Sequence, residues 1–192
     1  MPGRRWDDDG ATALLYTLIL HRDSVTCTYP VTQLMALALC TWIEEKHGLS
    51  PQIKWPNDVM IHKRKIAGIL VEGEGAYYLS GMGVNLQQRD FLPDYRHPAI
   101  SLAEAGAQPG TPEEELEGIL QILESYLEEP PSIDAINSRL HHKNQQIALV
   151  LGDPSKKNIV EGTVLDLQTD GALRMRLKGG EEQVIYSGEI NR

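Results

Sequence analysis

Lys65 is a residue of this chain that could do chemistry, although by its own position it reads equally as a solvated turn lysine. It ends a basic turn, His62-Lys63-Arg64-Lys65, between two apolar segments, Val59 to His62 and Ile66 to Val71. A lysine at a turn-to-strand junction carries its ammonium on a rigid element, from which a point charge can be aimed into a site. Its neighbours Lys63 and Arg64 read as solvated turn residues. Three residues on, Gly68 interrupts an otherwise bulky strand, and the missing side chain lets another backbone or a ligand come close. Upstream, Pro56-Asn57-Asp58 breaks the extended stretch Gln52 to Trp55; taken alone, an Asn-Asp after Pro is usually just a turn. Downstream, Gly81-Met82-Gly83-Val84-Asn85 ends a further strand. Its glycines are not a dinucleotide fingerprint, which needs GxGxxG opening a helix, and no P-loop lysine motif is present.

The elements that must position these residues follow from the hydrophobic pattern. Ala13 to Leu20 is a near-continuous apolar run and predicts a buried strand. Val31, Leu34, Met35, Ala38, Leu39, Trp42 and Ile43 form one stripe at helical spacing, with Gly48 where a C-terminal cap belongs. The stripe is core, and Trp42 and Cys40 belong to it. Gln52 to Val71 is the hairpin that carries Lys65, and Ala76 to Leu86 is a third strand. Ser101 to Gly106 reads as one helical turn. Thr111-Pro112-Glu113-Glu114 is a capping-box start, and its helix runs on through Leu116, Ile119, Leu120, Leu123 and Leu127 with its glutamates on a solvated face. Ser132 to His142 predicts a short helix whose closing histidine pair favours the helix dipole. From about Asn144 the texture changes to short strands, Ile147 to Leu151, Ile159 to Leu167, Leu173 to Leu177 and Gln183 to Ile190. Asp170-Gly171 and Gly179-Gly180 mark tight turns between them, and the set suggests a small barrel.

Composition bounds the function. The chain has 192 residues, 41% of them hydrophobic, with a formal net charge of -9. That is enough for one ordinary domain and a small appendage. An acidic chain with no basic helix argues against a nucleic-acid partner. No apolar run reaches membrane-spanning length and no signal segment opens the sequence. The two cysteines, Cys27 and Cys40, make no disulfide framework and complete no metal-ligand set. The expectation is a cytoplasmic protein with reduced thiols.

Three motifs, Lys54-Trp55-Pro56-Asn57-Asp58, Lys65-Ile66-Ala67-Gly68-Ile69-Leu70-Val71-Glu72 and Gly81-Met82-Gly83-Val84-Asn85, resemble in order and spacing the catalytic domain of biotin protein ligases. The tail from Asn144, closing on Gly188-Glu189-Ile190, is similar to the SH3-like domain that ends the bacterial members. The resemblance implies an α+β fold of the class II synthetase-like, biotin/lipoate ligase type. It has a mixed or antiparallel sheet with helices packed on it over residues 1–143, N-terminally incomplete, and an SH3-like β-barrel over 144–192. It implies an ATP-dependent ligase that makes biotinyl-adenylate and passes the biotinyl group to a lysine of a carrier domain. Biotin and ATP would be substrates, Mg2+ would sit on the phosphates, and a biotin carboxyl carrier domain would be the partner, with a homodimer as one arrangement. Joining a carboxylate to a triphosphate needs a fixed cation between two anions, and the resemblance gives that role to Lys65. It sets Gly68 and Leu70 with Lys65 in the biotin pocket. Asn57, Asp58, Ile69 and Asn85 go to the nucleotide, with Trp6 stacking on the adenine and Arg4 in the phosphate loop. Gly3-Arg4-Arg5-Trp6 resembles the tail of the family's glycine- and arginine-rich loop, whose Gly-Arg-Gly-Arg core would lie upstream of Met1. The expectation is therefore a chain lacking its N-terminal catalytic portion, with impaired activity. The alternative is a non-catalytic fragment that binds a carrier or self-associates through an exposed sheet edge. Lipoate ligation is disfavoured by the KWPND motif and the SH3-like tail.

Overall fold

In the computed structural model, residues 13–89, 91, 98–152 and 158–191 are described. The first sheet contains β1 (Ala13–His21), β2 (Gln52–Lys54), β3 (Asp58–Ile61), β4 (Arg64–Glu74) and β5 (Tyr77–Asn85) in the order β1-β5-β4-β3-β2, every pair antiparallel. Hairpin follows hairpin along β2 to β5, and β1 comes round to the far side of β5. Helix α1 (Val31–His47) packs on one face of this sheet, and α2 (Pro112–Glu128) lies against α1 and β1.

Among the described residues the helices cover one face of this sheet, and the part of the other face on β1, β4 and β5 stands open. Leu14, Val59, Ala67, Ile69, Met82 and Val84 point into the core with α1. The opposite face exposes Leu15, Ile19, Leu70 and Tyr77. β1 is thus not the doubly buried strand its apolar run predicts. It is an edge strand whose residues alternate between covered and open, because the helices lie on one side only. α1 departs the other way. It is buried nearly all round, Gln33, Leu37, Cys40 and Thr41 included, because it is packed from several sides. Gly48 ends it in the left-handed conformation at φ 64° and returns its N–H to Glu44 O.

α2 starts on the predicted capping box, with Thr111 and Glu114 each holding the other's backbone N–H. Its glutamates are not all solvated. Glu115 is fully buried, accepts from Gly110 N, and meets Lys46 at 2.7 Å and His47 Nε2 at 3.4 Å. Residues 101–106 form turns rather than a helix. The third helix, α3, is only Ile133–Ser138, so His141 and His142 lie beyond it, and His142 takes a positive φ of 65°. Residues 139–141 instead run beside β2, with Ile53 N donating to Arg139 O and His141 N to Ile53 O.

The second sheet contains β6 (Gln146–Val150), β7 (Ile159–Leu167), β8 (Leu173–Leu177), β9 (Glu182–Ile185) and β10 (Glu189–Asn191) in the order β10-β6-β7-β8-β9. The single strand expected over 183–190 is broken at 186–188, and this lets the last strand return beside the first. The two sheets share one core cluster, and polar groups tie the second sheet to α3 and to the β2–β3 connection. Asn137 exchanges two hydrogen bonds with the Leu167 backbone, and Trp55 Nε1 donates to Gly171 O at 3.0 Å. Among the described residues no helix is long and apolar enough to cross a membrane.

Candidate functional site

β3 and β4 are joined by a two-residue turn, His62-Lys63, with both residues in the left-handed region (φ 50° and 62°). This is the turn geometry that suits the right-handed twist of a tight hairpin. The ladder then slips. Val59 pairs with Ala67 but Met60 pairs with Lys65, so Ile66 is an extra residue on β4. The slip matters for the chemistry. Residues three apart on a regular strand point to opposite faces, whereas one bulged residue between them restores a common side. Lys65 and Gly68 therefore share the open face.

They share it closely. A Cβ on Gly68 would lie 2.9 Å from Lys65 Nζ and 3.2 Å from its Cε, with Asp58 Oδ1 at 3.6 Å. The space that glycine leaves is thus filled by the lysine's own side chain, which the sequence pattern had left open to any neighbour. Asp58, directly across from Gly68, holds the ammonium at 2.5 Å. Both groups keep some contact with water, at 30% and 14% side-chain exposure. An ammonium has three N–H donors, so pairing with Asp58 leaves it able to meet an incoming anion.

The floor beside the pair is nearly without side chains. Gly68 lies opposite Gly83, which lies opposite Leu15; one row along, Leu70 lies opposite Gly81, which lies opposite Thr17. Leu15 and Leu70, 48% and 61% exposed, flank this strip. The arrangement can seat a flat or chain-like apolar group with an acid at the Lys65 end.

Asn57 and Asn85 position the lysine's strand. Asn57 Nδ2 donates to Ile69 O at 2.8 Å while Ile69 N donates to Asn57 O, which holds β4 just ahead of the start of β3. Asn85 is buried, and its Nδ2 donates to Ile100 O at 3.0 Å and Lys65 O at 3.4 Å. The Ile69 side chain is in the core, on the face opposite Leu70, and does not face this group. Trp6 and Arg4 lie outside the described residues.

Arg64 is not the solvated turn residue that its context predicts. Its Nε donates to Ala99 O and its outer nitrogen pairs with Glu104. Lys65 N donates to Pro98 O, and Ile100 N to Lys65 O. This clamp at the base of the lysine is absent from the sequence reading because its partners stand more than thirty residues away. Among the described residues no three His, Cys, Asp or Glu side chains could hold a metal together.

Residues 2–85 match the model of the biotin/lipoate A/B protein ligase family, and residues 143–191 match that of the biotin protein ligase C-terminal domain. The bifunctional ligase/repressor BirA of Bacillus subtilis is 33% identical over 113 residues, covering 55% of this chain and 35% of BirA. That of Bacillus spizizenii is 27% identical over 97% of this chain and 60% of its own length. The chain thus spans between about a third and three fifths of these two relatives. In fold it is similar to the apo biotin protein ligase of Aquifex aeolicus, with a TM-score of 0.80 at 21% identity, covering 94% of this chain and 83% of that one. The same ligase in complex with biotin and ATP gives 0.79 at 22% identity, covering 94% and 78%. The lysine, the glycine floor and the Asn-Asp corner all fall within the first matched stretch and the second sheet within the other, and the chain belongs to the biotin protein ligase family.

Proposed function

We propose that this protein is an ATP-dependent biotin-protein ligase. The observation that carries the reading is the Lys65 ammonium, set over Gly68 and against Asp58 on an open, glycine-floored face. Biotin's ring and chain would lie along the strip between Leu15 and Leu70, with its carboxylate at Lys65. In the first step a carboxylate oxygen attacks the α-phosphorus of ATP. The bond to the bridging oxygen breaks, and its electron pair leaves with pyrophosphate. Lys65 lowers the repulsion between the two anions and stabilises charge building on the phosphate. In the second step the neutral amine of a carrier-domain lysine attacks the acyl carbon. AMP leaves, and the amine's proton is lost to solvent. Asn57 and Asn85 hold the strand and so the lysine; Asp58 orients the ammonium. Magnesium would arrive on the nucleotide's phosphates, where a single carboxylate such as Asp58 meets what that ion usually asks of a protein.

A finer part of the reading concerns rate and place. Leu15, Ile19 and Leu70 stand open among the described residues, and a mixed anhydride on an uncovered face is lost to water. The 192-residue chain alone is expected to make adenylate slowly and to leak it. We take residues 1–143 as the catalytic part and 144–192 as the small β domain. The free thiols of Cys27 and Cys40 suit a cytoplasmic protein. A second reading, a non-catalytic partner of a carrier or of another copy, is favoured by β1, the edge strand of its sheet, with Ile19 68% exposed.

Biotin-dependent exchange of labelled pyrophosphate into ATP separates the two readings. The ligase reading expects exchange that Lys65→Ala removes without lowering the melting temperature. No exchange, with no thermal stabilisation by biotin and ATP together, would leave the non-catalytic reading standing.

A further inference from the structure

A second concavity opens on the same face of the first sheet, one row beyond the Lys65–Asp58 pair. Lys54 is directly across from Asp58, and Met60 directly across from Lys65. From Lys54 and Met60 a cleft of about 560 Å³ runs to the second sheet. Its charge is at odds with the chain as a whole. The protein carries a net charge of -9, yet among the described residues the cleft is lined by three lysines, Lys54, Lys63 and Lys178, against one carboxylate, Glu161, which Lys178 engages. The lysines come from β2, from the β3–β4 turn and from the end of β8, so only the folded join of the two sheets brings them together.

The histidine pair completes the wall. His141 Nδ1 is bonded to Gln52 Oε1 at 2.8 Å, and His142 Nδ1 meets Gln145 Oε1 at 3.3 Å. His142 and Asn144 are held at positive φ, 65° and 61°, a conformation that costs a non-glycine residue about 1–2 kcal/mol. The segment accepts that cost and puts the His142 ring on the cleft. Around it stand Lys54 from β2, Lys63 from the turn and the His141 ring, with Lys178 and Glu161 across the opening. The ring is held below the ordinary histidine value, first by burial and then by the fields of Lys54 and Lys63, with the Gln145 hydrogen bond pulling the other way.

We propose that the cleft is a polyphosphate subsite. It takes the β- and γ-phosphates of a nucleotide whose α-phosphate lies at Lys65, and it keeps the pyrophosphate that departs from there. The proposal deepens the ligase reading and rests on it for the source of the pyrophosphate. When the bond from α-phosphorus to the bridging oxygen breaks, the new negative charge appears on the pyrophosphate oxygen, beside the lysines. A bound polyanion also opposes the two cationic fields on His142, so the ring's affinity for a proton from solvent rises as the anion enters.

Titration calorimetry of the full chain with inorganic pyrophosphate, magnesium held constant and neither biotin nor ATP present, tests this. A second series in a buffer of different ionisation enthalpy reads the proton uptake. Pyrophosphate and ATP are expected to bind and to compete, with AMP at least tenfold weaker; an AMP affinity equal to that of ATP would overturn the proposal. Lys63→Asn and His142→Asn keep residues that tolerate the left-handed backbone, and each should weaken pyrophosphate by about fivefold or more, with unchanged melting temperature. Proton uptake should vanish in His142→Asn, and higher salt should weaken binding in the parent chain. Lys65→Ala should leave pyrophosphate affinity within about twofold. Pyrophosphate binding lost in Lys65→Ala but untouched in the other two variants would sink the subsite. Absence of biotin-dependent exchange, with Lys63- and His142-dependent pyrophosphate binding intact, would count against the ligase reading alone.

Discussion

The site turns on a single missing side chain. Gly68 is where the end of Lys65 lies, so the two residues are one device, and a methyl group at 68 tests it. In Gly68→Ala the new Cβ crowds the far end of the flexible Lys65 side chain, which can swing away at little cost to the fold, and meets Asp58 Oδ1 only at ordinary contact distance. The expected outcome is stability within about 1 kcal/mol of the parent and exchange activity reduced as in Lys65→Ala, by about a hundredfold or more. Parent-like exchange would show that the ammonium does not act from over the glycine. The sequence flagged both residues as candidates. It did not say that one makes room for the other, because that depends on the extra residue at Ile66, and a bulge leaves no signature in the hydrophobic pattern.

At the level of elements, the hairpin turn and the α1–α2 contact make separate predictions. His62 sits at φ 50°, the first central position of a turn that favours Asn. His62→Asn should stabilise the chain by about 0.5 kcal/mol, read as a shift in the urea midpoint with unchanged slope. The α1–α2 contact should respond to acid. Burial holds His47 below the ordinary histidine value, although Glu115 pulls it back up. The folded chain thus keeps this ring neutral at pH values where the unfolded chain protonates it. Stability present above about pH 6.5 is then lost as pH falls further, since the unfolded state binds the extra proton. Urea unfolding at pH 7.5 and 5.5 (about one unit either side) should show this loss, and His47→Gln should flatten it. His142, lowered for the same first reason, contributes with the same sign. Sequence periodicity marked α2 and its cap well, but it put every glutamate on the wet side. That Glu115 is inside follows from where α1 ends, and single-helix periodicity carries nothing about a neighbour's terminus.

Across the whole molecule, local signals were legible and long-range ones were not. The hairpins, α1 with its glycine cap, and the change of texture near residue 144 stand in the sequence as short-range patterns. The Arg64 clamp on residues 98–104, the lysine-lined cleft and the one-sided cover of β1 each join segments far apart in the chain, and no window along the sequence contains them. The bond between Trp55 and the Gly171 carbonyl belongs to this class. Removing it with Trp55→Phe should cost about 1 kcal/mol in urea unfolding, with the two sheets still melting as one. The position of that indole also supplies a built-in gauge. Trp42 lies deep in the core of α1 and stays in place as a constant background, so the difference in emission between the parent and Trp55→Phe would report on seating of the small β domain. Any ligand that pries the halves apart, or locks them, would then announce itself as a change of colour without a dye.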